Sequence, residues 1–315
     1  MKGIKTLSLL ALVSMAFTIK AKAPDDEFCG VKNTAFQAGE EISYTVYYAV
    51  AGIYIDAGNA TFTNVLEKIN GRPVYHIAGV GKTNPSYDWI YKVRDKYETF
   101  IDTGSLQPLK FLRNVDEGGY KKYENITFNR NANTAVTTEG VFKVPDCVQD
   151  VLSAVYYARN IDFSKYNVND KIPFYMFLDN EVYSMYIRYL GKETVKTKYG
   201  KFKAIKFKPL LIKGTIFDGG EKMTVWVTDD ENHIPVRIES PIVVGKVKID
   251  MMSYDNIRYP MTSLIRKRSV SRARRWMEAF RLSINWELMM DCARTISIAA
   301  SESCASRSTT RMKAW

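Results

Sequence analysis

The stretch "EISYTVYYAV", residues 41–50, decides the fold class. Ile42, Tyr44, Val46, Tyr48 and Val50 recur at every second position, which puts them on one face of a strand. A helix would repeat its apolar positions at three and four residues instead. The same period runs outward from this stretch. "NATFTNVLEKI" (59–69) and "GRPVYHIAGVG" (71–81) flank an Asn70-Gly71 turn of the kind that closes a hairpin. "KYETFIDT" (96–103), "LKFLRNV" (109–115), "EGGYKKYENITFNRN" (117–131) and "NTAVTTEGVF" (133–142) follow.

The second half repeats the pattern. "IPFYMFLD" (172–179) and "VYSMYIRYLG" (182–191) are joined at Asn180-Glu181. "ETVKTKYGKFKAIKFKPLL" (193–211) turns at Tyr199-Gly200, and "KMTVWVTDDENHIPVRIES" (222–240) turns at Asp229–Asn232. "GKVKIDMMSYDNI" (245–257) closes the series. Aromatic and β-branched residues dominate throughout, and the short connections imply antiparallel neighbours.

One stretch breaks the period. "VPDCVQDVLSAVYYARNIDF" (144–163) carries Val148, Val151, Leu152 and Val155 at helical spacing. Asp146 as cap, with Gln149 three residues on, predicts a helix over about 146–158. The expected fold is therefore mainly β: a curved antiparallel sheet, or two, or a partly closed barrel, with one packed helix.

The chain has 315 residues and a net charge of +11, which invites a nucleic-acid reading. The charge is not where that reading needs it. Residues 264–315 hold nine Arg and two Lys against four acids, and residues 1–23 hold four Lys and no acid. Residues 24–263 balance 30 basic against 30 acidic side chains, so the body has no general attraction to phosphate. No nucleic acid is expected as a partner.

Both ends have their own reading. "MKGIK", the apolar run 6–18 and "AKA" predict a signal peptide over 1–23, cut at Ala21 or Ala23. The expected destination is the periplasm or cell envelope. Cys29 follows Asp26-Glu27-Phe28 rather than small apolar residues, so a lipoprotein is not expected. Residues 24–263 form the β-rich domain. Residues 264–315 read as an atypical basic tail, disordered or foreign to the domain, with a loose amphipathic period able to touch a membrane.

Motifs for chemistry are scarce. His76 and His233, the only histidines, stand far apart, and no G-x-S-x-G is present, so neither a triad nor a metal site is expected. No phosphate loop or dinucleotide fingerprint occurs, and no cofactor is expected. Asp229-Asp230 and Asp25-Asp26-Glu27 are adjacent acids of the kind turns favour. Lys196, Lys198, Lys201, Lys203, Lys206 and Lys208 form a row, read as an exposed strand face or an edge protected by lysines, with a patch for an acidic envelope partner as the alternative. Tyr44, Tyr48, Trp89 and Trp226 are the candidate ligand-contacting aromatics of a cavity; the competing account is sheet packing.

Four segments in order, "AFQAGEEISYTVYY…AGNATFT", "DCVQDVLSAVYYARNIDF", "YLGKETVKTKYGKFKAIKFKP" and "MTVWVTDDENHIPVRIESPIVVGKVKIDM", resemble an exported bacterial family. It is the domain of unknown function 3108, above all its Bacteroidetes members. The resemblance covers about residues 36–251, implies an envelope protein of antiparallel β structure, and supplies no catalytic residues.

The function expected is non-enzymatic: an envelope protein binding an apolar or amphiphilic ligand, lipid-like or glycan, or a partner protein, in the concavity of a sheet. The alternatives are an envelope glycan hydrolase using paired carboxylates and a structural or assembly module. Cys29 and Cys147 are the only cysteines of the body. In an oxidising compartment they are expected to form a disulfide tying the N-terminal segment to the helix.

Overall fold

The computed structural model describes residues 29–50, 53–212, 219–242 and 245–268. The segment expected to be a signal peptide (1–23) and the part of the expected 264–315 tail beyond residue 268 lie outside the described residues.

The first half is a run of hairpins. β1 (Glu41–Val50), β2 (Ile53–Ile69), β3 (Arg72–Thr83) and β4 (Arg94–Asp102) are followed by β5 (Pro108–Glu117), β6 (Tyr120–Asn129), β7 (Thr134–Val136) and β8 (Val141–Lys143). After the helix α1 (Val151–Ala158) come β9 (Lys171–Leu178), β10 (Glu181–Lys196), β11 (Gly200–Pro209) and β12 (Thr224–Thr228). β13 (Pro235–Pro241), β14 (Lys246–Asp255) and β15 (Leu264–Lys267) complete the order. All fifteen strands join one antiparallel sheet, ordered β8-β7-β6-β5-β4-β3-β2-β1-β14-β13-β12-β11-β10-β9, with β15 added to β11. The mainly β, antiparallel architecture is the one expected.

The chain enters this sheet at its middle. It builds outward to β8, crosses through α1 to the far edge at β9, and returns to lay β14 against β1. No ladder joins β8 to β9, so the sheet is curled but not closed. Side chains bring the edges together instead. Phe142 of β8 and Phe177 of β9 pack with tilted rings, centroids 5.8 Å apart, and Phe128 meets Phe177 edge-on at 6.2 Å. Asp179, in the β9–β10 turn, binds Arg113 of β5 and Lys122 of β6.

The helix lies inside the curl. Leu152, Tyr156 and Tyr157 are buried with Ile77, Phe111 and Ile126 of the first half and with Ile172, Phe174 and Phe207 of the second. Among the described residues no helix is long and apolar enough to cross a membrane.

The start of that helix corrects the sequence reading. Asp146 and Gln149 do not cap it. Cys147 has φ +56°, left-handed backbone that a right-handed helix cannot contain, and it is held there by its disulfide to Cys29. Gln149 bridges to the β9 edge, its N–H donating to the Tyr175 carbonyl at 2.9 Å and its carbonyl accepting from Phe177. The cap is Asp150, whose Oδ1 accepts from the N–H groups of Leu152 (2.8 Å) and Ser153 (2.7 Å). Ser153 Oγ closes the box by accepting from the Asp150 N–H at 2.8 Å. Val155, assigned to the apolar stripe, is on the exposed side.

Asp150 is fully buried, and Thr99 Oγ1 of β4 donates to its other oxygen at 2.6 Å. Burial pushes its carboxyl up to about 6, against the pull of these hydrogen bonds. A carboxyl raised on folding contributes stability below its unfolded value and loses it as pH rises through its folded value. Asp150→Asn keeps the cap acceptor without the charge. Relative to wild type it is therefore expected to gain about 2–3 kcal/mol between pH 4 and pH 7. Urea midpoints of both proteins across that range check this; a pH-independent difference would refute it.

The opening strand is half as expected. Ile42 and Tyr44 are buried, but from Val46 onward burial passes to the opposite set, Tyr47 and Ala49. The register beside β1 slips at Val46/Tyr47 against β2. Such a slip sharpens the twist and turns the second half of the strand. Lys198 then covers Tyr47, its amine 5.5 Å from the ring centroid.

Candidate functional site

Strand register defines the inner, helix-facing wall level by level, because directly paired residues point the same way. Asn64, Ile77, Thr99, Phe111 and Ile126 pair across β2 to β6 at the level where Thr99 meets the helix cap. One level on, the wall reads Ile42, Phe62, Gly79, Tyr97, Arg113 and Glu124. The next reads Met251, Tyr44, Ala60, Gly81 and Asp95. A fourth runs Phe207, Val225, Ile238, Ile249, Val46 and Gly58.

These levels differ in how well they are filled. Around α1 the wall is packed. Beyond it, Val46, Ala60, Ile238 and Ile249 are only half-buried although they face inward. Gly79 is covered by the Phe62 ring, which a Cβ there would meet at 2.8 Å. Gly81 is not covered: a Cβ on its inner side would meet nothing within 4 Å. The concave face thus has an apolar wall with room in front of it.

Polar groups stand at one side of this room. Asp95 and Glu117 share a hydrogen bond, and the Asp116 N–H donates to Asp95 at 3.2 Å. Burial first, then the neighbouring Asp95, pushes Glu117 up to about 7. Burial also raises Asp95. The pair therefore keeps one proton near neutrality. Arg113 lies at 2.8 Å from Glu124 and 2.5 Å from Asp179. Burial pushes the Tyr97 phenol up to about 12.

The four aromatics expected to contact ligand do not converge. Tyr44 lies on the concave wall, buried beside Glu40, Arg159 and Tyr156, and burial keeps its phenol protonated. Tyr48 pairs with Ile55 and Val247 two positions further along the same face and packs against Gly245. Trp226 points the other way, its Nε1 donating to Glu193 at 2.6 Å beneath the Lys206 amine. Trp89 is 56% exposed in the turn after β3, with Nε1 on the Ser86 carbonyl. Asp95, Arg113 and Glu117 are site residues that the sequence reading passed over. The signal for Asp95 was the phase of "RDKYETFID": Asp95 and Tyr97 share a strand face with buried Thr99 and Ile101.

Other acids gather in a second depression of about 370 Å³, lined by Asp162, Asp229, Asp230, His233 and Tyr259. Each aspartate is engaged. Asp229 pairs with Lys192 at 2.7 Å, Asp230 accepts from Thr228 Oγ1 at 2.8 Å, and Asp162 accepts from Ser164 Oγ at 2.6 Å. His233 donates from Nδ1 to the Arg159 carbonyl, and burial lowers its pKa. His76 lies elsewhere, between Glu67 and Glu98. Glycoside hydrolysis needs two carboxyls about 5–9.5 Å apart. Asp95 and Glu117 touch, which leaves no room for a sugar between them. Among the described residues no group of three or more His, Cys, Asp or Glu is placed to hold a metal.

The profile of a family described as "Protein of unknown function (DUF3108)" matches residues 43–252. Similar solved structures include a β-barrel-like protein of the DUF1849 domain of unknown function from Brucella abortus. It has 9% identity and a TM-score of 0.46, covering 70% of this chain and 99% of that one. A protein from Bacteroides fragilis, provisionally described as exported and with a YmcC-like fold, has 15% identity and a TM-score of 0.30 over 71% and 99% of the two chains. One from Parabacteroides distasonis, provisionally described as a lipoprotein, has 14% identity and a TM-score of 0.32 over 71% and 100%. No curated protein matches the chain.

Proposed function

Because the chain belongs to the DUF3108 family, whose function is unknown, we propose its role from its own geometry: an exported envelope protein that binds an amphiphilic ligand on the concave face of its sheet. The single observation carrying this reading is the uncovered inner position at Gly81, set among half-buried apolar wall residues. A wall of this kind accepts an apolar body. The Asp95–Glu117 pair at its side supplies both a donor and an acceptor for a polar head. Export is supported by the basic and apolar start of the sequence and by the Cys29–Cys147 disulfide, which an oxidising compartment maintains.

Filling the room tests the reading. Gly81 sits in a strand with no left-handed backbone requirement, so Gly81→Leu is compatible with the fold. Titration of wild type with the apolar fluorophore N-phenyl-1-naphthylamine is expected to show saturable binding. Gly81→Leu is expected to weaken it by roughly tenfold or more while the melting temperature holds or rises. Equal binding by the two proteins, or none by wild type, would remove the concave face as the site.

A further inference from the structure

The two ends of the sheet carry different chemistry. β1 runs toward one end; in an antiparallel sheet the last residues of β1, β3, β11 and β13 and the first of β2, β4, β12 and β14 all lie there. The opposite end holds the Asn70-Gly71 turn and the Asp229–His233 connection. At the first end Tyr54 is 46%, Trp89 56% and Tyr91 37% exposed, and Ile53 is half-buried beside them. The amines of Lys246 and Lys248 sit 5.3 and 5.1 Å from the Tyr54 ring centroid. Of the acids near this end, Asp88 is bound to Arg94 and Asp179 to Arg113 and Lys122, while Asp56 and Glu181 are exposed and Glu239 lies across the ladder from Lys248.

Exposed Trp and Tyr with lysines beside them is the composition that settles at a bilayer surface. The rings enter the headgroup layer and the amines meet lipid phosphates. We propose that this end of the sheet docks on an anionic lipid bilayer, so that the mouth of the concave face opens onto the membrane. The docking stands on its own residues and does not require the concave face to be filled.

The experiment is flotation of the full chain with phosphatidylcholine vesicles, with and without phosphatidylglycerol. Wild type is expected to float with the anionic vesicles and much less with the zwitterionic ones. Tyr54→Ser/Trp89→Ser/Tyr91→Ser is expected to lower the partition coefficient roughly tenfold or more. Lys246→Gln/Lys248→Gln is expected to remove most of the preference for phosphatidylglycerol, about fivefold per lysine. Leu66→Ser, which removes a 59% exposed apolar residue near the opposite end, is expected to float as wild type. Thermal melts confirm that each variant is folded. Gly81→Leu goes through the same assay and is expected to float normally, so ligand binding and docking are read separately. Undiminished flotation of the triple variant assigns membrane binding to another part of the chain and overturns the proposal. So does equal flotation on both vesicle types, or none by wild type.

Discussion

Replacing Arg159 by methionine is expected to destabilise the protein by about 3–5 kcal/mol, and Glu40→Gln by a similar amount. The two form a fork, Nη1 to Oε1 at 2.5 Å and Nη2 to Oε2 at 2.8 Å, with almost no solvent contact. The guanidinium also donates from Nε to the Asn232 carbonyl at 3.0 Å and packs on both rings of the edge-to-face Phe36–Tyr156 pair, 5.4 and 5.2 Å from their centroids. Removing either partner leaves a buried charge without its counterion, and that uncompensated charge, more than the lost attraction, sets the size of the effect. The double variant Glu40→Met/Arg159→Met buries no charge and is expected to recover at least half of the loss. Urea midpoints of the two singles and the double form a cycle that checks this. Single variants within about 1 kcal/mol of wild type, or strictly additive effects, would contradict it.

Opening the disulfide is the second large effect. Cys29 and Cys147 are 118 residues apart in sequence and 5.4 Å apart at Cα. Closing a loop of that length removes chain entropy worth up to about 4–5 kcal/mol from the unfolded ensemble. The bond also holds the segment that delivers Phe36 and Glu40 to the end of α1. Cys29→Ser/Cys147→Ser is therefore expected to lower the urea midpoint strongly. Adding Arg159→Met to it is expected to cost less than in wild type, since both act on the docking of one segment. An unchanged midpoint after removal of both cysteines would refute the first expectation.

The fold class was legible because period two is a local property. Each strand from 41 to 257 declares itself without knowledge of its neighbours, and the disulfide followed from cysteine count and compartment. What was not legible depends on register. Nothing in "EISYTVYYAV" shows that the slip beside Val46 moves burial onto Tyr47 and Ala49. "DCVQD" reads with Asp146 as the cap, and the left-handed backbone at Cys147 moves the helix start to Asp150. Trp226 alternates as a wall residue would, yet lies on the face opposite Val225, packed on a second core cluster with its Nε1 on Glu193. The Arg159–Glu40 pair spans 119 positions, and Asp95–Glu117 meet through a neighbouring ladder. No local pattern announces either contact.

The order of the strands has a consequence for how the chain acquires its shape. β1 to β8 zip together from neighbouring hairpins, and so do β9 to β14, each run using contacts close in sequence. The β1–β14 seam, with the Gln37–Asn256 and Arg258–Asn33 hydrogen bonds beside it, joins residues from opposite ends of the described chain. Such distant pairings bear the largest loop-closure cost and form after the local ones. A chain delivered from its N-terminus can therefore assemble its first meander before its second exists. Until β14 arrives, β1 is a bare edge, and its full length of unpaired backbone is the nascent molecule's most adhesive surface.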